Sequence, residues 1–197
     1  KITINDLVTC SISSALRTLF DENGDKNIEK VNIGIPANIR FAFYPTVEDV
    51  KLENKFACLP LMLPLVNNMK DSYGIISKAT KHLKTNFPMI YTSYVVQRLA
   101  SRIAPILLSS KVIGDTTRKF SFAFSNTPGP IKPIYYYNTA KTEKIFTEWT
   151  LPYMVVAGYT GMAINCMSLC NSFRVCITSD NGYLEPKLNK RLCQLIE

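Results

Sequence analysis

The chain is read as an α/β domain in which a mixed sheet carries helices packed on one side. Three observations predict this class. Amphipathic helical stretches and β-prone runs are interleaved, but without the regular strand-helix alternation of a doubly wound sheet. The run Phe120-Ser121-Phe122-Ala123-Phe124 alternates large and small residues, as a strand with one buried face does. Met162 to Leu169 and Phe173 to Thr178 are apolar, β-prone runs that read as a hairpin turning at Cys170-Asn171-Ser172.

In order, the first element is a helix opening at Ile4-Asn5-Asp6-Leu7-Val8 and running to about Phe20, because Val8, Ile12, Ala15, Leu16 and Leu19 recur on one face. Asn5 is the expected N-cap, and Asp6 suits the positive end of the helix dipole. Asp21 to Asn27 is a polar turn. Val31 to Pro36 alternates like a strand and leads to Ala37-Asn38-Ile39-Arg40, which places Arg40 just past a strand end. Residues 41–51 read as an irregular connection. Lys55 to Leu65, interrupted by Pro60 and Pro64, suits a strand at a sheet edge, since proline cannot donate to a ladder. Asn67 to about Arg102 is helical, broken at Asn86-Phe87-Pro88 into two helices. Pro105 opens a further short helix to about Val112, closed by Gly114-Asp115.

After the phenylalanine strand, Ser125-Asn126-Thr127-Pro128-Gly129-Pro130 forms a rigid corner. The prolines fix φ and offer no N–H, while Gly129 admits a positive φ or a close approach of another group to the main chain. Ser125 and Asn126 are expected at the lip of that corner; a plain surface turn uses the same residue types. Ile134 to Tyr137 and Lys144 to Phe146 are short extended segments around a turn near Asn138. The chain ends in a helix from about Glu185 to Leu195 with Pro186 in its first turn. No repeat is visible.

The composition limits the function. With 197 residues the chain holds one domain with a good core. It starts at Lys1 without an initiator methionine and reads as a piece of something longer. A net charge of +8 suits an anionic partner, but the basic residues are dispersed and no RNA-binding aromatic signature accompanies them, which speaks against nucleic acid. The six cysteines, Cys10, Cys58, Cys166, Cys170, Cys176 and Cys193, contain no Cys-x-x-Cys pair, so buried free thiols in a reducing, intracellular compartment are expected rather than a metal site or a disulfide framework. His82 is the only histidine and has no carboxylate beside it in the sequence. It reads as an exposed helix residue, which rules out a Ser-His-Asp triad or a multi-histidine metal site built from this chain alone.

Three stretches, in order, carry a resemblance. Asn5-Asp6 leads an apolar helix, a strand ends in Pro36-Ala37-Asn38-Ile39-Arg40, and Ser125-Asn126-Thr127-Pro128-Gly129-Pro130 forms the corner. Together they resemble the C-terminal domain of the wax ester synthase/diacylglycerol acyltransferase family, over essentially the whole chain. Two places depart from the family pattern: Ser168-Leu169-Cys170-Asn171 stands where a tyrosine and a glycine are usual, and Glu53-Asn54 where Gly-Asn is commoner.

The resemblance implies a chloramphenicol acetyltransferase-like half-domain, residues 1–197, whose catalytic N-terminal domain lies outside this chain. That domain would carry a His-His-x-x-x-Asp-Gly motif whose second histidine is the general base. His82 does not belong to such a motif, so no catalytic residue is expected here, and this domain alone is expected to be inactive. The implied reaction moves a long-chain acyl group from acyl-CoA, a substrate rather than a resident cofactor, to a fatty alcohol or diacylglycerol. Ser125, Asn126, Gly129 and Asn5 are the oxyanion or tunnel candidates, with Ser125 and Asn126 preferred because capping already accounts for Asn5. Arg40 is the candidate contact to a CoA phosphate. The apolar run from Phe56 to Leu65 and the Phe120 to Phe124 strand are candidate walls for an acyl chain. No metal is expected, and the protein is placed in the cytoplasm or peripherally at a membrane or lipid-droplet surface. The rival readings are an inactive acyltransferase-like domain that binds lipid or protein, a half of a condensation-type domain, and a basic lipid-surface module unrelated to catalysis.

Overall fold

Thr3, rather than Asn5, starts the first helix. In the computed structural model, which describes residues 3–40, 55–103, 111, 114–138, 140, 142–148, 150–154 and 158–197, helix α1 spans Ile4–Glu22. The Thr3 side chain accepts from the Asp6 N–H, and the Asp6 carboxylate accepts from Thr3 in return, a capping box that satisfies two otherwise unpaired donors. Asn5 therefore sits inside the first turn with its side chain released from capping. The signal was present as Thr3-Ile4-Asn5-Asp6, the Ser/Thr-x-x-acid pattern of such a box.

Strand β1 (Lys30–Asn38) pairs antiparallel with β2 (Phe56–Pro64). Helices α2 (Met69–Thr85) and α3 (Phe87–Ile103) follow, divided where Asn86 and Pro88 were expected to divide them. Strand β3 (Phe122–Thr127) comes next, then a small antiparallel hairpin of β4 (Tyr135–Tyr137) and β5 (Lys144–Phe146). Strands β6 (Met162–Leu169) and β7 (Ser172–Ser179) and helix α4 (Pro186–Ile196) complete the chain. Residues 41–51 and most of the short helix expected from Pro105 lie outside the described residues. Residues 114–117 are helical where a closing turn was expected.

The main sheet has five strands in the order β2-β1-β3-β6-β7, with β1, β3 and β6 parallel and the two flanking pairs antiparallel. It is the mixed sheet the sequence predicts. Alternate residues of β2, Ala57, Leu59, Leu61 and Leu63, are buried, whereas Phe56 and Met62 are exposed, so the helices cover one face at this edge. Over that face α1 packs between α2 and α4 and contributes Val8, Ile12, Leu16 and Leu19 to the core, with Leu192 of α4 fully buried beside them. The Ser13 hydroxyl of α1 donates to the Pro64 carbonyl at 2.5 Å, which pins the helix to β2.

The proline pattern explains the sheet. The N–H groups of Ile39 and Leu65 bond across β1 and β2, so odd-numbered residues of β2 face β1 and even-numbered ones face outward. Pro60 and Pro64 thus place their missing donors on the free edge. Cys58, also outward, is covered by the side chain of Gln97 from α3, which accepts from the Cys58 N–H at 3.4 Å and donates to its carbonyl at 3.3 Å. A side-chain amide takes the place of a further strand. Pro36 acts on the other side of β1. The strand runs on to Asn38, so Arg40 lies just past its end, as the sequence predicts. Pairing with β3, however, stops at Gly34 with Ala123, because Pro36 turns a donorless nitrogen toward β3.

The β6–β7 turn holds Cys170 at φ 51°, a left-handed conformation that costs a non-glycine residue about 1 kcal/mol or more. Cys170→Gly is expected to stabilise the protein by about 1 kcal/mol, raising the melting temperature by roughly 2–4 °C. Denaturant titration of the two proteins side by side measures this directly.

Candidate functional site

Where the β1–β3 ladder ends, the helix-covered side of the sheet opens into a cavity of about 710 Å³. It lies at the carboxyl end of two parallel strands, the side on which open α/β sheets bind ligands. Its most buried walls are Leu59 of β2, Phe124 of β3, Thr9 of α1, and Thr80 and Leu83 of α2. Its rim is formed at the α2–α3 junction by Lys84, Phe87, Pro88 and Tyr91, with Asn38 and Arg40 from the end of β1. The interior is apolar apart from a few placed polar groups, as in most sites for small or chain-like molecules.

The central polar feature is a contact between residues 121 positions apart. Asn126 Nδ2 donates to Asn5 Oδ1 across the gap between β3 and the start of α1, and both residues line the cavity. Asn5 Nδ2 has no hydrogen-bond partner among the described residues, and the second N–H of Asn126 is likewise unassigned. Two amide donors are therefore presented side by side on rigid elements.

A buried carboxylate sets this geometry. Asp6 is 4% exposed; its Oδ1 accepts from the Thr80 hydroxyl of α2 at 2.7 Å and its Oδ2 from the Thr3 hydroxyl at 2.7 Å. Burial pushes its pKa up, and this is the largest single influence. The Thr80 and Thr3 hydroxyls, the Thr3 N–H and the charge of Lys84 together outweigh burial and hold it below the usual carboxylate value. Asp6 was read from the sequence as a helix-dipole residue. Its link to Thr80 had no local signal, because the two are 74 residues apart.

The predicted site residues separate into two groups. Asn5, Asn126 and Arg40 come together at the cavity. Arg40 lies at the rim with its N–H and guanidinium donating to Asn38 Oδ1 at 3.0 and 3.3 Å. Ser125 and Gly129 do not line the cavity. β3 continues through Ser125 and Asn126 to Thr127 in parallel register with β6, so these two residues belong to the strand rather than to the corner after it. Successive side chains then point to opposite faces. Asn126 shares the helix-covered face with Phe124, and Ser125 lies on the other face, in register with Asn165. Gly129 has a structural reason: a Cβ there would overlap the Ser168 carbonyl oxygen and crowd Met167. Its N–H donates to Ser168 Oγ at 3.1 Å, and the Cys170 N–H donates to the Pro130 carbonyl at 2.9 Å, so the Pro-Gly-Pro corner is clamped onto the β6–β7 hairpin.

Of the expected walls, Leu59 and Phe124 reach the cavity, and sequence reasoning missed Thr9, Thr80, Lys84 and Tyr91. Their helical spacing marks core or surface without telling which face meets a void. His82 is exposed near the end of α2. All six cysteines are free, and burial pushes the Cys166 thiol up to about 12, so it stays protonated and inert at neutral pH. No cluster of three or more potential metal ligands occurs among the described residues. Nor is any helix among them long and apolar enough to cross a membrane.

The fold is a chloramphenicol acetyltransferase-like mixed α/β fold with a cavity at the carboxyl ends of its parallel strands. The model of the WS/DGAT C-terminal domain matches residues 53–197, and the chain belongs to that family. Among solved structures, the wax ester synthase/diacylglycerol acyltransferase from Marinobacter aquaeolei VT8 superposes with a TM-score of 0.57 at 16% identity, over 98% of this chain and 42% of that one. A condensation domain that mediates chain release from the enacyloxin polyketide synthase gives 0.58 at 11% identity, over 98% of this chain and 34% of that one. The epimerization domain from the third module of tyrocidine synthetase B gives 0.53 at 12% identity, over 98% and 40%. A comparison with curated proteins found no match. At these identities the superpositions establish the fold, and the chain spans less than half the length of each structure.

Two outcomes follow from this geometry. Asp6→Asn is expected to cost about 2 kcal/mol at pH 7, since charge-assisted hydrogen bonds are weakened. Because the folded pKa of Asp6 lies below its unfolded value near 3.9, the wild-type advantage is present above about pH 4 and is lost as the pH falls through the folded pKa. Urea titrations from pH 7 to pH 2 measure the gap and its closure. Gly129→Ala is expected to destabilise by about 3 kcal/mol through overlap with a backbone oxygen that cannot rotate away, and a thermal melt reads the loss.

Proposed function

We propose that this chain is the C-terminal half of an O-acyltransferase that moves a long-chain acyl group from acyl-CoA to a fatty alcohol or diacylglycerol. The observation that carries the reading is the Asn5–Asn126 amide pair at an apolar cavity, in a chain of the WS/DGAT C-terminal family. Acyl transfer from a thioester passes through an oxyanion, and prepositioned neutral donors in a site of low polarity stabilise it most. Asn5 Nδ2 and the second N–H of Asn126 are the donors assigned to that oxygen. The apolar walls at Leu59, Leu83 and Phe124 take the chain. Arg40 and Lys84 at the rim face the anionic part of acyl-CoA. Acyl-CoA is a substrate, and no resident cofactor is invoked.

The general base is assigned to a histidine of an N-terminal half, since His82 lies outside the cavity lining. Deprotonating the alcohol as it attacks the thioester carbon requires such a base on the face opposite these donors. This half positions and stabilises, and the other half moves the proton.

The test is ester formation from palmitoyl-CoA with hexadecanol and with diacylglycerol, by the full-length protein and by its Asn126→Ala variant. Wild type is expected to form ester with at least one acceptor. Loss of the amide is expected to lower kcat on the order of a hundredfold in a protein whose melt is unchanged. A folded full-length protein that forms no ester with either acceptor overturns the reading.

A further inference from the structure

Two Asn-Gly pairs lie outside the cavity, Asn23-Gly24 and Asn181-Gly182. In such a pair the glycine nitrogen can attack the asparagine side chain, because no Cβ on the following residue blocks the approach. Both asparagines are exposed, so access to water does not separate them. Their hydrogen bonds do.

Asn23 is tied down. As the C-cap of α1 it donates from Nδ2 to the Leu19 carbonyl at 2.7 Å, while the Gly24 N–H is held by the Asp21 carbonyl at 3.2 Å. Electrophile and nucleophile are both turned back toward the helix end, and a ring between them cannot close without breaking those bonds. Asn181 is not held in this way. It sits in the turn between β7 and α4, and its side chain has no hydrogen-bond partner among the described residues. The turn around it is fixed by Asp180, whose carbonyl accepts from the Tyr183 and Leu184 N–H groups at 2.9 and 3.0 Å. The Gly182 N–H donates to Asp180 Oδ1 at 2.8 Å. The proton that the Gly182 nitrogen must shed is thus already in contact with a carboxylate, a group able to act as general base.

We propose that Asn181 is a self-modifying site that converts to isoaspartate and aspartate in the folded protein, while Asn23 is spared. The Gly182 nitrogen gives up its proton to base and bonds to Asn181 Cγ; the Cγ–Nδ2 bond breaks, ammonia leaves, and a succinimide forms without oxidant or cofactor. Water then opens the ring at either carbonyl. One opening gives aspartate, and the other gives isoaspartate, whose main chain runs through the side-chain carbons and is one methylene longer. Either product adds a negative charge beside Asp180. The longer main chain acts next door, where the Tyr183 ring lies so close on Gly161 that a Cβ there would fall 2.2 Å from its Cγ. Tyr183 is one wall of an apolar pocket of about 180 Å³ shared with Leu16, Leu19, Phe122 and Leu192, so the added methylene pushes on a packed ring. The proposal stands on the turn alone and is independent of the ester assay.

The test incubates the full-length protein in warm, mildly alkaline buffer and maps its peptides, separating asparagine, aspartate and isoaspartate at positions 23 and 181. Labelling by an isoaspartyl methyltransferase with S-adenosylmethionine confirms the isoaspartate. In the folded protein Asn181 is expected to convert roughly tenfold or more faster than Asn23, and in denaturant the two rates approach each other because Asn23 loses its bonds. Gly182→Ala is expected to slow conversion at 181 roughly tenfold or more. Its melt is expected to be unchanged, since Gly182 has no positive φ and an added Cβ meets only Asp180 Oδ1, at 3.3 Å. Equal conversion of the two asparagines in the folded protein overturns the proposal. So does an Asn181 that stays intact in the folded protein while the denatured chain converts, or a Gly182→Ala variant that converts at the wild-type rate.

Discussion

The carboxylate of Asp6 is the group on which the site depends. Taking a carboxylate out of water costs several kcal/mol unless its oxygens are satisfied, and here they are satisfied from two elements, Thr3 at the helix start and Thr80 of α2. That requirement fixes both the end of α1 and its rotation against α2. With the rotation set, Asn5, one residue earlier, points toward β3 and meets Asn126. The Asn-Asp pair thus has a division of labour: the aspartate holds the helix and the asparagine faces the cavity.

The second constraint is a missing hydrogen bond. Pro36 offers β3 no donor, and the ladder between β1 and β3 does not extend beyond Gly34. Had a residue with an N–H continued the pairing, Ile35 to Asn38 and Phe124 to Asn126 would close against each other and fill the space that is now the cavity. On the far side of β3, Gly129 and Ser168 weld the Pro-Gly-Pro corner to the hairpin, so that the strand end carrying Asn126 is supported from both directions. A site on paired strands and a capped helix holds its geometry better than one on a loop.

The cations are placed by the same architecture. Arg40 and Lys84 come from different elements, yet both reach the rim because β1 ends where α2 ends. No cysteine among the described residues lines the cavity, and burial raises the pKa of the core residues Cys10 and Cys166. The chain belongs to the WS/DGAT C-terminal family, and Asn5, Asn126, Arg40 and Lys84 converge on its apolar void.

Most of the elements were legible in the sequence because their signals are local. Apolar period marked α1, α2, α3 and α4, proline placed β2 at an edge, and alternation marked β3 and the β6–β7 hairpin. The family was legible as well, through a corner motif whose proline and glycine chemistry is specific. What the sequence left open was direction. Whether Ser125 or Asn126 faces the helices depends on the register of β3 against β6, and a change of one residue exchanges the two. Likewise Thr3-Ile4-Asn5-Asp6 offered two caps, Thr3 and Asn5. Only the reach of Asp6 to Thr80 goes with the choice of Thr3, because that bond joins residues far apart in the chain. By itself the sequence determined which segments fold as helix or strand and to which family they belong. The tertiary structure decided which side chains share a cavity, because strand register and helix rotation are set by contacts between distant segments.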